Sequence, residues 1–508
     1  MRILPMGDAA LLVEVGSLPE VLALHAAMLS SAPAGVVDLV PAARTVLVRV
    51  DPRTLRLAVA RAWIGALRPA ASVSPEIGTP PVTVDIAYDG PDLAETAALL
   101  GVTAADLVRR HREAEWTVAF TGFAPGFGYL VSTDWPFAVP RRPTPRTRVP
   151  AGAVGLAAEF TGAYPRATPG GWRLIGTTSA PLFDPRAASP VLLTPGARVR
   201  FREMPAVRPR TEPAPSAPTG TPAFHVLSPG VQASVQDLGR RGTASLGVAD
   251  SGALDRAALL LGNRLVGNRS DAAGVEVTLG GFRAVAERDL WVAVTGAAGP
   301  GTLGGRALAV GRAVPWPAGA ELSLGPLISG ARAYLAMRGG IAGERMLGSR
   351  ATDVLAGLGR PLAAGAVVSV GEEVDAPIPP VDLALVSAAS GVVEVGLLPG
   401  PRGDWFTASA LTDLFDAEWT VTSDTDRVGM RLDGPVLPRR LTGELPSEGM
   451  VPGAIQVPPS GTPTILLADG PVTGGYPVIA VVASHALGVL AQARPGDRLQ
   501  FRRARVDG

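Results

Sequence analysis

The sequence predicts a mainly β protein with a β-barrel in each half. Three observations lead there. Gly (61) and Pro (49) make up more than a fifth of the 508 residues without a short repeat period, which favours many turns over a helical bundle. Short β-type runs recur between Pro/Gly breaks, at 45–50, 82–88, 191–201, 290–295, 333–337, 392–398, 464–467 and 498–501; that spacing suits barrels better than a doubly wound sheet. The two halves also echo one another. Thr194-Pro195-Gly196-Ala197-Arg198-Val199-Arg200-Phe201 closes the first, and Arg494-Pro495-Gly496-Asp497-Arg498-Leu499-Gln500-Phe501 the second. Upstream, Thr161-Gly162-Ala163-Tyr164-Pro165 matches Thr473-Gly474-Gly475-Tyr476-Pro477, and Val149-Pro150-Ala151-Gly152-Ala153 matches Val451-Pro452-Gly453-Ala454. Three matches in the same order read as two related β-domains.

In chain order, residues 18–29 carry helical spacing. Thr103-Ala104-Ala105-Asp106 opens a helix with a cap-like T-x-x-D that runs to about Glu115. Residues 252–266 form a third helix candidate, with Leu254, Ala258, Leu261 and Leu265 on one face. Six of the eighteen residues in 205–222 are Pro, so this stretch reads as a semi-rigid linker between the halves. The start, Met1-Arg2-Ile3-Leu4-Pro5, has no signal-peptide core. The longest uncharged stretch, 470–493, contains Gly474, Gly475, Pro477 and His485; a strand, a turn and a short helix fit it better than a membrane span. The expected location is the cytoplasm.

Composition narrows the chemistry. Charged residues are 18% of the chain and the net charge is +1, which argues against nucleic-acid binding or a polybasic membrane anchor. There is no Cys, so disulfides, a Cys nucleophile and Cys-bound metals are excluded. All 46 basic residues are Arg. No lysine can therefore serve a P-loop, a Schiff base or a biotinyl group, and anions must be met by guanidinium forks and backbone N–H groups. Neither GxGxxG nor GxxxxGK[ST] occurs in the context it needs. His25, His111, His225 and His485 have no ligand spacing, so no metal site is expected; His25 and His111 are expected on helix surfaces.

Four segments could carry chemistry. Phe120-Thr121-Gly122-Phe123-Ala124-Pro125-Gly126-Phe127-Gly128-Tyr129-Leu130 is either an anion nest or an aromatic-rich turn. Residues 140–150 set Arg141, Arg142, Arg146 and Arg148 among prolines; they either present forks to a carboxylate or phosphate or form a solvated loop. Residues 228–242 bring Gln236, Asp237 and Arg240 to one tight turn, followed by Asp255 and Asn263, for which capping is the competing reading. The last runs through Gln456, Asp469-Gly470, Thr473 and Tyr476.

On these residues the first half resembles the allophanate hydrolase subunit 1 (KipI-like, 5-oxoprolinase B component) family. The matching segments are Gly7–Glu14 in GDAALLVE, Pro125-Gly126-Phe127, 140–155 and 161–177. The second half resembles the allophanate hydrolase subunit 2 (KipA-like, 5-oxoprolinase C component) family through 228–255, Gly296, Arg338-Gly339-Gly340, Leu398-Pro399-Gly400-Pro401, 423–430 and 449–501. The chain thus looks like a fusion of two subunits. Three positions depart from the family pattern: Gly128, His485 and Gly470-Pro471-Val472.

The resemblance implies cyclophilin-like β-barrels in both halves and a small α/β N-terminal domain. It divides the chain into 1–78, 79–204, the linker 205–222, a first β-subdomain 223–390 and a second barrel 391–508. It implies a component of ATP-dependent 5-oxoprolinase, which opens 5-oxoproline to glutamate with ATP and Mg, beside a separate LamB/YcsF-type A component. Two alternatives come with it. One is the carboxyltransferase part of a urea carboxylase or urea amidolyase, its biotin carried on another chain. The other is a histidine-kinase inhibitor; a homo-oligomer is compatible with each. Carried onto this sequence, Arg146, Thr147 and Arg148 would hold anionic oxygens, and Gln236, Asp237 and Arg240 would orient substrate from the other half. Pro125, Gly126, Tyr129, Pro150, Thr161, Tyr164, Asp255, Asn263, Gln456, Thr473 and Tyr476 would line the substrate site.

Overall fold

The structure, a computed structural model, describes residues 1–68, 80–207, 220–380, 382–383 and 391–505. Most of the expected linker, 208–219, lies outside the described residues. Its last two residues, Thr221 and Pro222, already pair with Val370 and Ser369 as the start of strand Thr221–Pro229.

Strands Arg2–Pro5, Ala10–Glu14, Thr45–Val50 and Val36–Pro41 form a four-stranded antiparallel sheet in that spatial order. Alternation along them puts Val13, Val46 and Val48 on one face. Helices Leu18–Ser31 and Leu57–Ala66 cover that face through Val21, Leu24, Met28 and Ile64. This is the small α/β unit.

Seven of the next nine strands, from Val82–Ile86 to Arg198–Glu203, form one sheet. The edge strands of this sheet are joined by an Ala87–Thr177 bridge with hydrogen bonds of 2.9 and 2.8 Å, so it curls into a barrel. Far downstream, seven strands from Val393–Pro399 to Arg498–Arg503 form a closed barrel. Between the barrels, six- and five-stranded sheets face each other over Phe224, Phe282, Trp316, Leu335 and Met337.

The two barrels are built alike. The last strand of each pairs parallel with the first. Each Pro-Gly turn donates from its glycine, Gly196 to Val118 O and Gly496 to Val421 O. Trp116 and Trp419 stand at the start of equivalent strands, as first and second residue, and each donates its indole N–H to the carbonyl five residues back, His111 and Leu414, at 2.9 and 3.2 Å. The Val-Pro echo also holds: Gly152 and Gly453 both have positive φ, and their carbonyls accept from Thr178 and Val482.

The Tyr-Pro echo does not hold. Thr161 lies within strand Phe160–Ala163, whereas Thr473 pairs with Gly449 in a short separate ladder. The counterpart of that ladder is Thr168–Gly170 against Arg146–Val149. Other expectations shift by a few residues. The helix expected over 252–266 begins at Arg256, because the Asp255 side chain accepts from Ala258 N and caps it. The run 191–201 becomes strand only from Arg198, after the Pro195-Gly196 turn. Thr103 caps helix Ala104–Glu113 as its T-x-x-D indicates. Residues 478–491 fold as strand, turn and short helix, and no helix among the described residues is long and apolar enough to cross a membrane.

His111 is a correction. It is fully buried rather than on a helix surface, because its ring nitrogens bond Tyr88 Oη and Thr161 Oγ1, both at 2.9 Å, and it packs on Trp116 and Phe201. Burial drives its pKa down to about 3. His25 is half-buried and bonds the Leu39 backbone.

Candidate functional site

A cavity of about 700 Å3 lies where the halves meet. The first half contributes Pro125, Gly152, Tyr164, Arg166, Leu182 and Arg186; the second contributes Val235, Glu344, Arg350, Thr352, Arg360 and Ser369. The halves are fastened on both sides of it. Arg166 Nη1 donates to Val354 O and Leu355 O at 3.3 and 2.8 Å. Arg186 holds Glu344 with Nε and Nη2 at 2.7 and 2.8 Å.

The turn Gln236-Asp237-Leu238-Gly239-Arg240 lies under the cavity's second-half wall. Three of its side chains secure one loop. Gln236 Nε2 donates to Thr352 O at 3.0 Å. Asp237 accepts from Ser349 Oγ at 2.6 Å and Arg350 N at 2.7 Å. Arg240 donates through Nη2 to Ala351 O. The loop they hold supplies Met346, Arg350 and Thr352 to the wall. Arg240 is buried without a carboxylate at ion-pair distance among the described residues, and burial pulls its pKa below the usual value while Asp353 and Asp237 oppose that. One buried polar atom is left without a hydrogen bond on each of Gln236 (Oε1), Arg240 (Nη1) and Asp353 (Oδ2).

Beyond the loop lies a sealed charge network. Arg427 reaches both oxygens of Asp469 at 2.9 Å and also bonds Glu276 Oε1. Ser251 Oγ donates to Asp469 at 2.6 Å. Burial opposes the charge on Glu276, but Arg427 and Arg332 hold its carboxyl below the usual range. This network buries charge that is fully paired, as a low-dielectric interior requires.

Of the expected substrate residues, Pro125 and Tyr164 line the cavity, and Gly126 stands behind it. A side chain at Gly126 would meet Leu182 O at 2.6 Å, and its φ of +75° favours glycine. Arg146, Thr147, Arg148 and Pro150 lie on or just after the strand that leads to the rim at Ala151, without lining the cavity. Thr147, Arg148 and Pro150 are exposed. Arg146 Nη2 and Arg142 Nη1 share Asp92 Oδ1 at 2.7 and 3.1 Å. Burial opposes the Asp92 charge, but bonds from Arg146 and Leu174 N keep its carboxyl below the usual range.

The others sit apart. Tyr129 is packed among Phe120, Phe127 and Trp172; burial pushes its hydroxyl up to about 12. Thr161 is inside the first barrel on His111. Asp255 caps its helix and accepts from Gln492 Nε2. Buried Asn263 donates to Ala272 O at 2.7 Å and accepts from Asn268. Thr473 Oγ1 accepts from Phe123 N at 3.1 Å across the two halves, and a side chain at Gly122 would fall 2.0 Å from it. Gln456 is half-buried on the second barrel, and Tyr476 is exposed.

The wall residues Arg166, Arg350, Thr352 and Arg360 went unmarked by sequence reasoning. Arg166 directly follows Tyr164-Pro165, so that echo pointed beside it. The other three stand in no pattern tighter than isolated polar residues.

Residues 1–193 match the family model described as carboxyltransferase domain, subdomain C and D, and residues 246–503 match carboxyltransferase domain, subdomain A and B. Over 286 residues the chain is 34% identical to the C component of 5-oxoprolinase from Escherichia coli (strain K12), covering 54% of this chain and 89% of that protein. Over 112 residues it is 53% identical to the B component of 5-oxoprolinase from Escherichia coli O157:H7, covering 22% of this chain and 51% of that protein. The crystal structure of TTHA0988 superposes with a TM-score of 0.86 at 36% identity, covering 97% of this chain and 99% of that one.

Proposed function

Because this chain belongs to the carboxyltransferase-domain family and joins relatives of the B and C components of 5-oxoprolinase in one polypeptide, we propose that it is the fused B/C component of an ATP-dependent 5-oxoprolinase. The reaction converts 5-oxoproline, ATP and water to glutamate, ADP and phosphate. The observation that carries this reading is the cavity walled by both halves: a site divided between two component types gives a reason to fuse them. The partner is a LamB/YcsF-type A component, and the location is the cytoplasm.

A lactam is a poor electrophile, and phosphorylating its oxygen makes it a good one. Charge then builds on oxygens, which fixed guanidinium groups and backbone donors stabilise. The cavity wall offers four arginines against the carboxylates of Asp184 and Glu344, a set that fits anionic oxygens. Arg146, Thr147 and Arg148 stand outside the cavity, on the strand that leads to its rim residue Ala151, and Arg146 is engaged by Asp92. Gln236, Asp237 and Arg240 act from beneath by holding the loop 346–353 in place. Among the described residues no group of three or more His, Asp or Glu is arranged to hold a metal, so Mg2+ would enter on the nucleotide's phosphates.

The family description supports a second reading, a biotin-dependent carboxyltransferase acting on a urea- or amide-type compound. Biotin would arrive on another chain, since this one has no lysine.

Glutamate release from 5-oxoproline, with ATP and Mg2+, separates the readings. The full chain is assayed alone and with its LamB/YcsF-type partner. ATP-dependent glutamate in the mixture alone supports the proposal. No glutamate with a competent partner turns it down; carboxyl transfer from carboxybiotin, or binding to a histidine kinase without turnover, would then take its place.

A further inference from the structure

We infer that Arg360 is the residue that receives the negative charge of the ligand in the inter-half cavity, and that the ligand is a small oxyanion, a carboxylate in the first instance. This rests on the reading above for the identity of the carboxylate, 5-oxoproline, but not for the charge.

The argument is one of availability. Arg166, Arg186, Arg350 and Arg360 line the cavity. Arg166 is held by the Val354 and Leu355 carbonyls. Arg186 is held bidentately by Glu344. Arg350 donates to Gly343 O at 2.9 Å and Glu373 Oε1 at 2.8 Å. Arg360 is exposed and makes no hydrogen bond or ion pair with any described residue. With four arginines against two carboxylates, the wall carries surplus positive charge, which concentrates anions in a cleft. Arg360 is the guanidinium that can receive one without breaking an existing pair, and its fork suits a carboxylate.

Arg360 is also well presented. Leu358 is fully buried and exchanges backbone hydrogen bonds with Asp353 at 2.7 and 2.9 Å. Leu362 N donates to Ala233 O at 2.8 Å. Pro361 fixes the backbone angle that follows, and Gly359, at φ +71°, makes the turn before it. Arg360 therefore projects from a short segment pinned at both ends, which limits the entropy lost when it engages a ligand.

The test is calorimetric titration of the full chain with 5-oxoproline, with 2-pyrrolidinone (the same lactam without its carboxylate) and with inorganic phosphate. Wild type is expected to bind 5-oxoproline about tenfold or more tighter than 2-pyrrolidinone, the scale of one charge-assisted contact. Arg360→Ala should remove most of that preference and Arg360→Lys should restore part of it. Because the position is exposed, an unchanged melting temperature checks that Arg360→Ala folds. Binding of phosphate but not of 5-oxoproline by wild type, weakened in Arg360→Ala, would keep the anion role and discard the 5-oxoproline reading. Full retention of anion binding by Arg360→Ala, or no binding of any probe by wild type, overturns the inference.

Discussion

Asp353 shows how a single buried carboxyl couples the cavity wall to pH. It is 1% exposed, and its Oδ1 accepts from Ala356 N at 2.8 Å. Burial first, and the nearby Asp469 charge second, push its pKa from 3.8 up to about 6. Between those values the folded protein holds a proton that the unfolded chain has released. Stability from this group is therefore present below about pH 4 and lost as pH rises through 6. A shift of this size amounts to at most about 3 kcal/mol. Asp353→Asn should flatten that part of the curve, gaining relative to wild type on going from pH 4 to pH 7 in denaturant titrations; parallel curves would show that Asp353 does not titrate there. Asp237 makes a sharper case. Asp237→Ala leaves Ser349 Oγ and Arg350 N without their acceptor, at about 1–3 kcal/mol for each buried donor. Melting should fall, and the KM of whichever substrate the cavity takes should rise through displacement of the loop 346–353. Gln236, Asp237 and Arg240 could be marked in the sequence because they crowd one Gly turn. Arg166, Arg350 and Arg360 could not, because only folding brings them to one wall. The burial of His111 is illegible for the same reason: helical spacing says nothing about a Thr fifty residues away that bonds its ring.

At the scale of elements, the two barrels repeat one wiring scheme with opposite charges. Gly90 N and Asp92 N donate to Ile175 O and Leu174 O; Gly400 N and Arg402 N donate likewise to Ile479 O and Val478 O. Asp92 and Arg402 are thus equivalent, as are Arg146 and Glu448, three residues before each Val-Pro. The first barrel pairs Asp92 with Arg146 at 2.7 Å, whereas the second pairs Arg402 with Glu448 and with Glu14 of the α/β unit. The contact has kept its place while its polarity reversed. The indole clamps have kept both. Trp116→Phe and Trp419→Phe preserve the ring but leave a buried carbonyl unpaired. Each should cost about 1–3 kcal/mol in chemical denaturation, and the two losses should agree within about 0.5 kcal/mol, since equivalent contacts in separate barrels do not share partners. A large inequality would mean the clamps are not equivalent. The Pro-Gly turns, the Thr103 cap and the final strands were legible because they rest on local chemistry. Barrel closure was not, since the Ala87–Thr177 bridge joins residues ninety apart. The Thr161/Thr473 match of letters misled because similar turns can occupy different places in one scheme.

For the whole molecule, the decisive question is whether the halves are two proteins or one. One hydrophobic cluster combines Met6, Leu12, Val40 and Leu47 with Met450, Val451, Val472 and Val481. Gly449 meets Leu47 so closely that an added Cβ would fall 2.4 Å from its side chain. Arg49 grips Asp250 bidentately at 2.9 and 2.6 Å and also reaches Asp38 at 3.2 Å. Arg49→Met would strand two buried carboxylates and should cost about 3–5 kcal/mol. Arg202→Ala removes an exposed pair with Asp85 and should cost less than about 1 kcal/mol. The described end of the linker, Thr221 and Pro222, pairs with Val370 and Ser369 inside the second half, so the interface between the halves should hold without a covalent link. Residues 1–204 and 223–508 expressed as separate chains should therefore co-purify as a stoichiometric complex. Either chain alone should expose the shared apolar cluster and aggregate. Arg49→Met should weaken the split complex far more than Arg202→Ala does. Two halves that stay soluble and fail to associate would mean that covalent linkage holds the cavity together; a complex that forms and melts as a single unit would mean that packing does.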